Sequence, residues 1–250
     1  MNRPPHTPSS PSPLAGLILA GTDTGVGKTT VARALLRLAA RRGFRLMPFK
    51  PVESGCDDNL PRDTLHLLQA ASTTLITPNE VCPYSFAAPL APSVASRMEG
   101  RQVELATLLA AARALAAKAD ALLVEGAGGL LSPWGPRLHL GIFAAELQLP
   151  VLIVAANRLG TINHTALVAA ECRRRELPCV GFILVDVSPT PAPDHDSNAE
   201  EIVRETGLPL LGALPHTEPT DVDILADRAA LTLDVTAIFR ALRPPAPRAG

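Results

Sequence analysis

The stretch Leu17–Leu36, LILAGTDTGVGKTTVARALL, sets three glycines, four threonines and one lysine between an apolar run and an amphipathic helical repeat. A glycine-rich turn joining a buried strand to a helix aims backbone N–H groups at the positive end of the helix dipole, which is a receptacle for phosphates. Gly25 and Gly27 allow backbone conformations and close approach that a Cβ would block. Lys28 is placed to reach β- and γ-phosphates, and the Thr29 hydroxyl to coordinate Mg²⁺. The strict spacing G-x-x-x-x-G-K-[ST] is missed by one residue, since Thr22 stands five before Gly27 and the glycine is Gly21. Strand, turn and helix nevertheless follow in the order a phosphate-binding loop requires.

Outward from this loop, short apolar runs alternate with helix-length amphipathic segments. Strands are predicted at Gly16–Ala20, Arg45–Phe49, Ala121–Val124, Val151–Ala155, Val180–Val185 and Leu210–Ala213. Helices are predicted at Lys28–Arg42, Asp63–Ala71, Val103–Lys118, Leu140–Leu147, Thr161–Glu176, Asn198–Thr206, Asp221–Arg228 and Val235–Leu242. The alternation predicts an α/β fold, a mostly parallel sheet flanked by helices on both faces in the manner of P-loop NTPases. Pro and Gly at LPVL, LPCVG and GLPLLG close the helices before the next strand. One domain is expected over residues 14–242, with the proline-rich ends 1–13 and 243–250 as flexible tails.

Composition narrows the chemistry. A net charge of −1 over 250 residues, with neither end strongly basic, argues against nucleic acid or an anionic membrane as partner. The N-terminal segment lacks an apolar core of the secretory kind and no run is long enough to span a bilayer, so a soluble, cytoplasmic protein is expected. The four cysteines, Cys56, Cys82, Cys172 and Cys179, share no C-x-x-C spacing and read as reduced thiols rather than a zinc site or a disulfide framework.

Two carboxylates are placed to serve a metal beside the phosphate loop. Glu125 ends the apolar run of ALLVEGAGG at the carboxyl end of a strand, where α/β sheets gather ligands, and burying it there demands a cation or hydrogen-bond donors. Asp63 begins a helix and fits equally as an N-cap or as a second ligand. Lys50, in KPVESG, follows the second predicted strand at the same sheet edge, either as an exposed strand end or as a second cation on transferring phosphate, and Ser54 lies four residues on.

With GTDTGVGKTT, KPVESG, CPYSFAAPLAPSVAS, EGAGGLLSP, RLGTINHT and PLLGALP in this order, the chain resembles the dethiobiotin synthetases from Gly16 to about Leu242. The resemblance implies ATP-dependent closure of 7,8-diaminopelargonate with CO₂ to the cyclic urea of dethiobiotin, giving ADP and phosphate. It proceeds through a carbamate and its mixed anhydride with phosphate. It implies Lys28, Lys50, Ser54 and Thr24 as the catalytic set, Ser54 also holding substrate, and Thr29, Asp63 and Glu125 around Mg²⁺. Gly25, Val26, Gly27, Lys28, Thr29 and Thr30 would cradle the nucleotide, together with Gly126, Ala127 and Gly128. By the same resemblance, the helix start at Gly160, Thr161, Ile162 and Asn163 would hold the substrate carboxylate across a homodimer interface, with Thr161 as N-cap and His164 a first-turn polar residue. Some relatives read the adenine edge with an Asn where this chain has Val185. A valine offers no donor or acceptor, which leaves Asp186 and the backbone of Pro215, His216 and Thr217 to line the base pocket. A partitioning ATPase of the ParA/MinD type is the main rival, but such proteins carry a lysine where this chain has Asp23. The run Arg173–Arg175 reads as a solvated helix end.

Overall fold

The structure is a computed structural model that describes residues 14–56, 60–190, 194–217 and 221–243. The proline-rich ends, apart from Arg243, lie outside the described residues.

Eight strands and ten helices are described. The strands are β1 (Gly16–Gly21), β2 (Leu46–Phe49), β3 (Val52–Ser54), β4 (Tyr84–Phe86), β5 (Ala121–Gly129), β6 (Val151–Ala156), β7 (Cys179–Val185) and β8 (Leu210–Leu214). The helices in the first half are α1 (Lys28–Arg41), α2 (Arg62–Ala71), α3 (Pro78–Val81), α4 (Pro92–Met98) and α5 (Leu105–Ala116). Those in the second half are α6 (Leu140–Leu147), α7 (Thr161–Arg174), α8 (His195–Thr206), α9 (Val222–Thr232) and α10 (Val235–Ala241).

Six strands form one sheet in the order β2-β5-β1-β6-β7-β8, with every pairing parallel. Parallel strands need crossovers, and helices returning on both faces bury both sides of β1 and β6, which are buried at all six positions. Helices α1, α2, α9 and α10 cover one face around Leu19, Leu35, Leu67 and Ile238. Helices α5 to α8 cover the other around Ile18, Phe143, Ala169 and Ile202. Pro48 sits in β2, which among the described residues pairs only with β5, so its missing N–H leaves no ladder position empty.

Each predicted strand and helix has its counterpart within a few residues. Four short elements were not read from the sequence: α3, α4, and the parallel pair β3 and β4, whose three-residue runs are too short to show a period. Helix α3 did carry a legible signal, because Thr77 and Glu80 form a reciprocal capping box with Pro78 at the first helical position. Two helix stops also differ from the reading. At Leu149-Pro150 and Leu177-Pro178 the turning residues are Gln148 and Glu176, both with φ near 55, and the proline only seals the stop behind them. Among the described residues, no helix is long and apolar enough to cross a membrane.

Candidate active site

The loop after β1 closes on itself through two left-handed glycines, Gly25 at φ 72 and Gly27 at φ 92, the latter capping α1. Lys28 folds back over this loop, and its ammonium donates to the Asp23 carbonyl at 2.8 Å. The displaced glycine of the motif acquires a reason here: a Cβ on Gly21 would lie 2.6 Å from Lys28 Nζ and 2.7 Å from the Asp23 carbonyl oxygen. Gly21 therefore makes room for the returning lysine. Val185, at the end of β7, packs its methyls where a Cβ on Gly27 would be, at 2.6 Å. The valine thus supports the phosphate loop from below.

Lys50 leaves β2 directly into the same place and is not an exposed strand end, being only 4% exposed. Its ammonium donates to Glu125 Oε1 at 2.5 Å and to Asp63 Oδ2 at 2.8 Å, while the Thr29 hydroxyl donates to the same Glu125 oxygen at 2.7 Å. Burial works to lower the Lys50 pKa, but the Glu125 and Asp63 charges outweigh it and hold the ammonium above its ordinary value. Lys28 goes the other way: burial, helped by the Lys50 charge and only partly offset by Glu125, brings it down to about 8. Burial also works to raise Asp63, and Lys50 outweighs it, so this carboxyl lies below its usual value.

Two local readings are corrected. Asp63 is not the N-cap of α2, because Pro61 holds that position and makes no side-chain cap. The capping is done by Glu53 of β3, whose carboxylate accepts from the Asp63 amide at 2.8 Å and from the Thr64 amide and hydroxyl at 3.0 and 2.8 Å. Asp63 is thereby left free to face Lys50. Glu125 does not end its strand, since β5 runs on to Gly129 with a register shift against β1 that begins beyond Leu19 and Glu125. Gly128, at φ 68, then turns the chain over Ser132, whose hydroxyl accepts from the Gly129 amide at 2.8 Å.

These groups line one cleft of about 780 Å³. Of the residues expected from the sequence, it brings together Thr24, Gly25, Gly27, Lys28, Thr29, Thr30, Lys50, Ser54, Asp63, Glu125, Ala127 and Gly128. Glu53, Ser132 and the wall Pro89–Pro92 line it as well and were missed as site residues. The motif CPYSFAAPLAPSVAS was the available signal for that wall. Val26 is buried in the core beneath α1, and Gly126 packs against Leu140, whose Cδ2 would lie 2.4 Å from an added Cβ, so neither lines the cleft.

A family profile described as an AAA domain matches residues 15–222. The ATP-dependent dethiobiotin synthetase BioD of Anaeromyxobacter dehalogenans strain 2CP-C is 48% identical over 203 residues, covering 81% of this chain and 90% of that protein. The chain belongs to the dethiobiotin synthetase family. The Bacillus subtilis strain 168 member is 35% identical over 224 residues, covering 88% of this chain and 97% of its own length. In fold alone, this family member is also similar to the MinD cell division protein of Aquifex aeolicus, with a TM-score of 0.51 at 15% identity over 90% of this chain and 94% of that one.

Other residues expected to serve a dethiobiotin synthetase lie outside the cleft lining. Gly160, Thr161, Ile162 and Asn163 open α7, with Gly160 itself, at φ 90, in the N-cap position assigned to Thr161. A left-handed glycine closes that turn without a side-chain cap, and the buried Thr161 hydroxyl has no partner. His164 is exposed in the first turn, as expected. Asp186 follows β7 and accepts from Asn157 at 3.3 Å, with His195 at 3.0 Å on the same oxygen. The segment Pro215–Thr217 follows β8 and is tied to α9 through Arg228, which donates to the His216 carbonyl and the Thr217 hydroxyl. Arg173–Arg175 is not simply solvated: Arg173 donates to the Thr206 carbonyl, and Arg175 pairs with Glu171 at 2.5 Å with both side chains mostly buried.

Proposed function

We propose that the chain is an ATP-dependent dethiobiotin synthetase, with residues 14–242 as one catalytic unit. The reading is carried by one observation: a buried Lys50 ammonium shares a cleft with Lys28 of the phosphate loop, held 2.5 and 2.8 Å from Glu125 and Asp63. Two cations facing one phosphate site suit a reaction in which negative charge builds on a γ-phosphoryl group and on a carbamate.

In this reading one amine of 7,8-diaminopelargonate, uncharged, attacks CO₂ to give a carbamate. The nearby lysine charges favour the neutral amine over the ammonium. The carbamate oxygen takes the γ-phosphoryl group of ATP, and the second amine closes the ring and expels phosphate. Lys28 and Lys50 neutralise the oxygens that carry charge in both steps, Thr24 completes this catalytic set, and Ser54 holds the substrate. The phosphate loop, from Gly25 to Thr30, orients the triphosphate, and Asp186 with the backbone of Pro215–Thr217 faces the base.

Mg²⁺ fits the residues present. Among the described residues no group of three or more His, Cys, Asp or Glu converges, so the cleft offers no all-protein cage. With the Glu53 carboxylate taken up by the first turn of α2, it offers two carboxylates and a hydroxyl, which suits an ion that keeps waters and shares its shell with phosphates. Glu125 Oε2 is buried and without a hydrogen-bond partner, an acceptor suited to such an ion. Thr29, Asp63 and Glu125 would hold it, and when bound it would offset charge on the phosphate oxygens.

The enzyme is read as a cytoplasmic homodimer, in which the α7 start of one subunit serves the cleft of the other. Support comes from the absence of Gly160–Asn163 from the lining of their own cleft and from Leu159, 84% exposed beside them. Steady-state ADP release is the test. It is expected only when 7,8-diaminopelargonate and bicarbonate are both present, with dethiobiotin appearing in equal amount by mass spectrometry. ADP release that ignores either substrate would overturn the reading. Running the assay with ATP, CTP and GTP shows how the base is read without an Asn at Val185.

A further inference from the structure

The loops after β6 and β7 meet the first turn of α8 in a chain of polar side chains outside the cleft lining. Asp186, the residue after β7, stands at its centre. One of its oxygens, Oδ1, takes both neighbours, the Asn157 amide at 3.3 Å and His195 Nε2 at 3.0 Å. Asn157 is buried after β6, and its own Oδ1 accepts from Nδ2 of the fully buried Asn198 at 2.9 Å. A carboxylate only accepts, so the Asn157 amide has to turn its nitrogen toward Asp186 and its oxygen toward Asn198. His195 has a carboxylate on each side, Asp186 at Nε2 and Asp196 Oδ1 at 2.9 Å from Nδ1. Both ring nitrogens therefore donate, which is the imidazolium form, and the bond to Asp196, with the Asp186 charge, holds His195 above its ordinary pKa.

The second oxygen of Asp186 is left over. Oδ2 receives no hydrogen bond among the described residues and is not buried, the side chain being 19% exposed. Its place fits the far end of a nucleotide. Lys50, Asp63 and Glu125 gather on the β2–β5 side of β1, so a triphosphate with its terminal group among them and its chain along the phosphate loop leads away over β6, β7 and β8. Asp186 lies on that side. It follows Val185, which packs against Gly27, and its amide donates to the Leu214 carbonyl at the end of β8 at 3.0 Å. Two strands separate β7 from β1, about 10 Å, which a ribose and base can span.

We propose, resting on the nucleotide reading of the cleft given above, that Asn157 and His195 set the base specificity of this site: by occupying one oxygen of Asp186 they present the other as a single anionic acceptor for an exocyclic amino group. Adenine N6 and cytosine N4 carry such a group, whereas guanine, hypoxanthine and uracil turn a keto oxygen to the same position. A keto oxygen facing Oδ2 forfeits the hydrogen bond and adds repulsion. The substrate class is therefore a nucleoside triphosphate with an amino group at this edge of its base. Asn157 and His195 act through Asp186, as positioning residues.

The test uses the full chain. Calorimetry in the presence of Mg²⁺ measures Kd for ADP, IDP, CDP and UDP, and steady-state assays measure kcat and KM for the triphosphates. ADP is expected to bind at least about tenfold tighter than IDP, and CDP than UDP, because a hydrogen bond to a charged group is lost. In Asp186→Asn, whose amide can turn either a donor or an acceptor to the base, both ratios should fall to within about threefold of one. His195→Ala and Asn157→Ala should each lower the ratios at least about threefold through lost preorganisation, with the change in nucleotide KM and not in KM for 7,8-diaminopelargonate. Should the buried Asn157 variant fail to fold, His195→Ala, at a side chain 27% exposed, carries the test. Diphosphate binding needs no turnover, so two failures separate. Preference for ADP over IDP in a chain that makes no dethiobiotin would remove the synthetase reading and support the base specificity, whereas equal binding of ADP and IDP by a chain that makes dethiobiotin would overturn the specificity alone. Discrimination that survives Asp186→Asn, or that His195→Ala leaves intact, would overturn it too.

Discussion

Lys50 shows how one side chain can serve both stability and chemistry. It is buried against Glu125, itself 1% exposed, so removing it strands a carboxylate in the core. Breaking a buried pair from one side costs about 3 kcal/mol or more. Losing one charge-stabilising group at a reacting centre lowers turnover by about 10²- to 10³-fold. Lys50→Ala should therefore both melt early and turn over slowly. Stability is separated from chemistry in Lys50→Met combined with Glu125→Gln, which removes the unpaired charge: stability by chemical denaturation should largely return, whereas turnover, which draws on both Lys50 and Glu125, should not. A double variant with near-normal turnover would remove Lys50 from the chemistry. The sequence placed Lys50 correctly at the end of its strand but left open whether it faced solvent, because exposure there depends on β3 and α2 folding over it.

Helix α2 owes its orientation to a partner in another element. Its first-turn amides are capped by Glu53 from β3, where burial also raises the carboxyl above its ordinary pKa. Losing a cap costs about 1 kcal/mol, and leaving the Thr64 hydroxyl unpaired, on a residue that is fully buried, adds to it. Glu53→Ala should lower the unfolding free energy by about 2 kcal/mol and speed hydrogen exchange at the Asp63 and Thr64 amides before the rest of the chain. Unchanged exchange at those amides would mean that α2 starts without Glu53. The sequence suggested Asp63 as the cap because Asp at a helix start is a strong local signal, yet a carboxylate ten residues earlier won the position. Local preference cannot register a competitor brought in by a two-stranded sheet whose strands are three residues each.

For the molecule as a whole, the outstanding feature is that the α7 start lies outside its own cleft lining while Leu159, 84% exposed, and Leu131, 51% exposed, present apolar surface. A dimer that buries Leu159 predicts that Leu159→Asp shifts sedimentation toward the monomer and raises KM for 7,8-diaminopelargonate, with KM for ATP little changed. A monomeric wild-type chain, or a dimeric variant with unaltered kinetics, would count against the shared site.

The parallel sheet, its flanking helices and the phosphate loop were legible along the chain because they rest on short-range patterns. Apolar runs of strand length, helical spacing of Leu and Ala, and Gly25 and Gly27 before Lys28 can each be read within about twenty residues. Contacts between residues far apart were not legible. That Glu53 rather than Asp63 caps α2, that Lys50 is clasped by Glu125 and Asp63 and that Pro89–Pro92 walls the cleft all follow from how the elements pack. Burial and charge pairing act through space, and the linear order of residues carries no record of which carboxylate lies beside which ammonium until the sheet has formed.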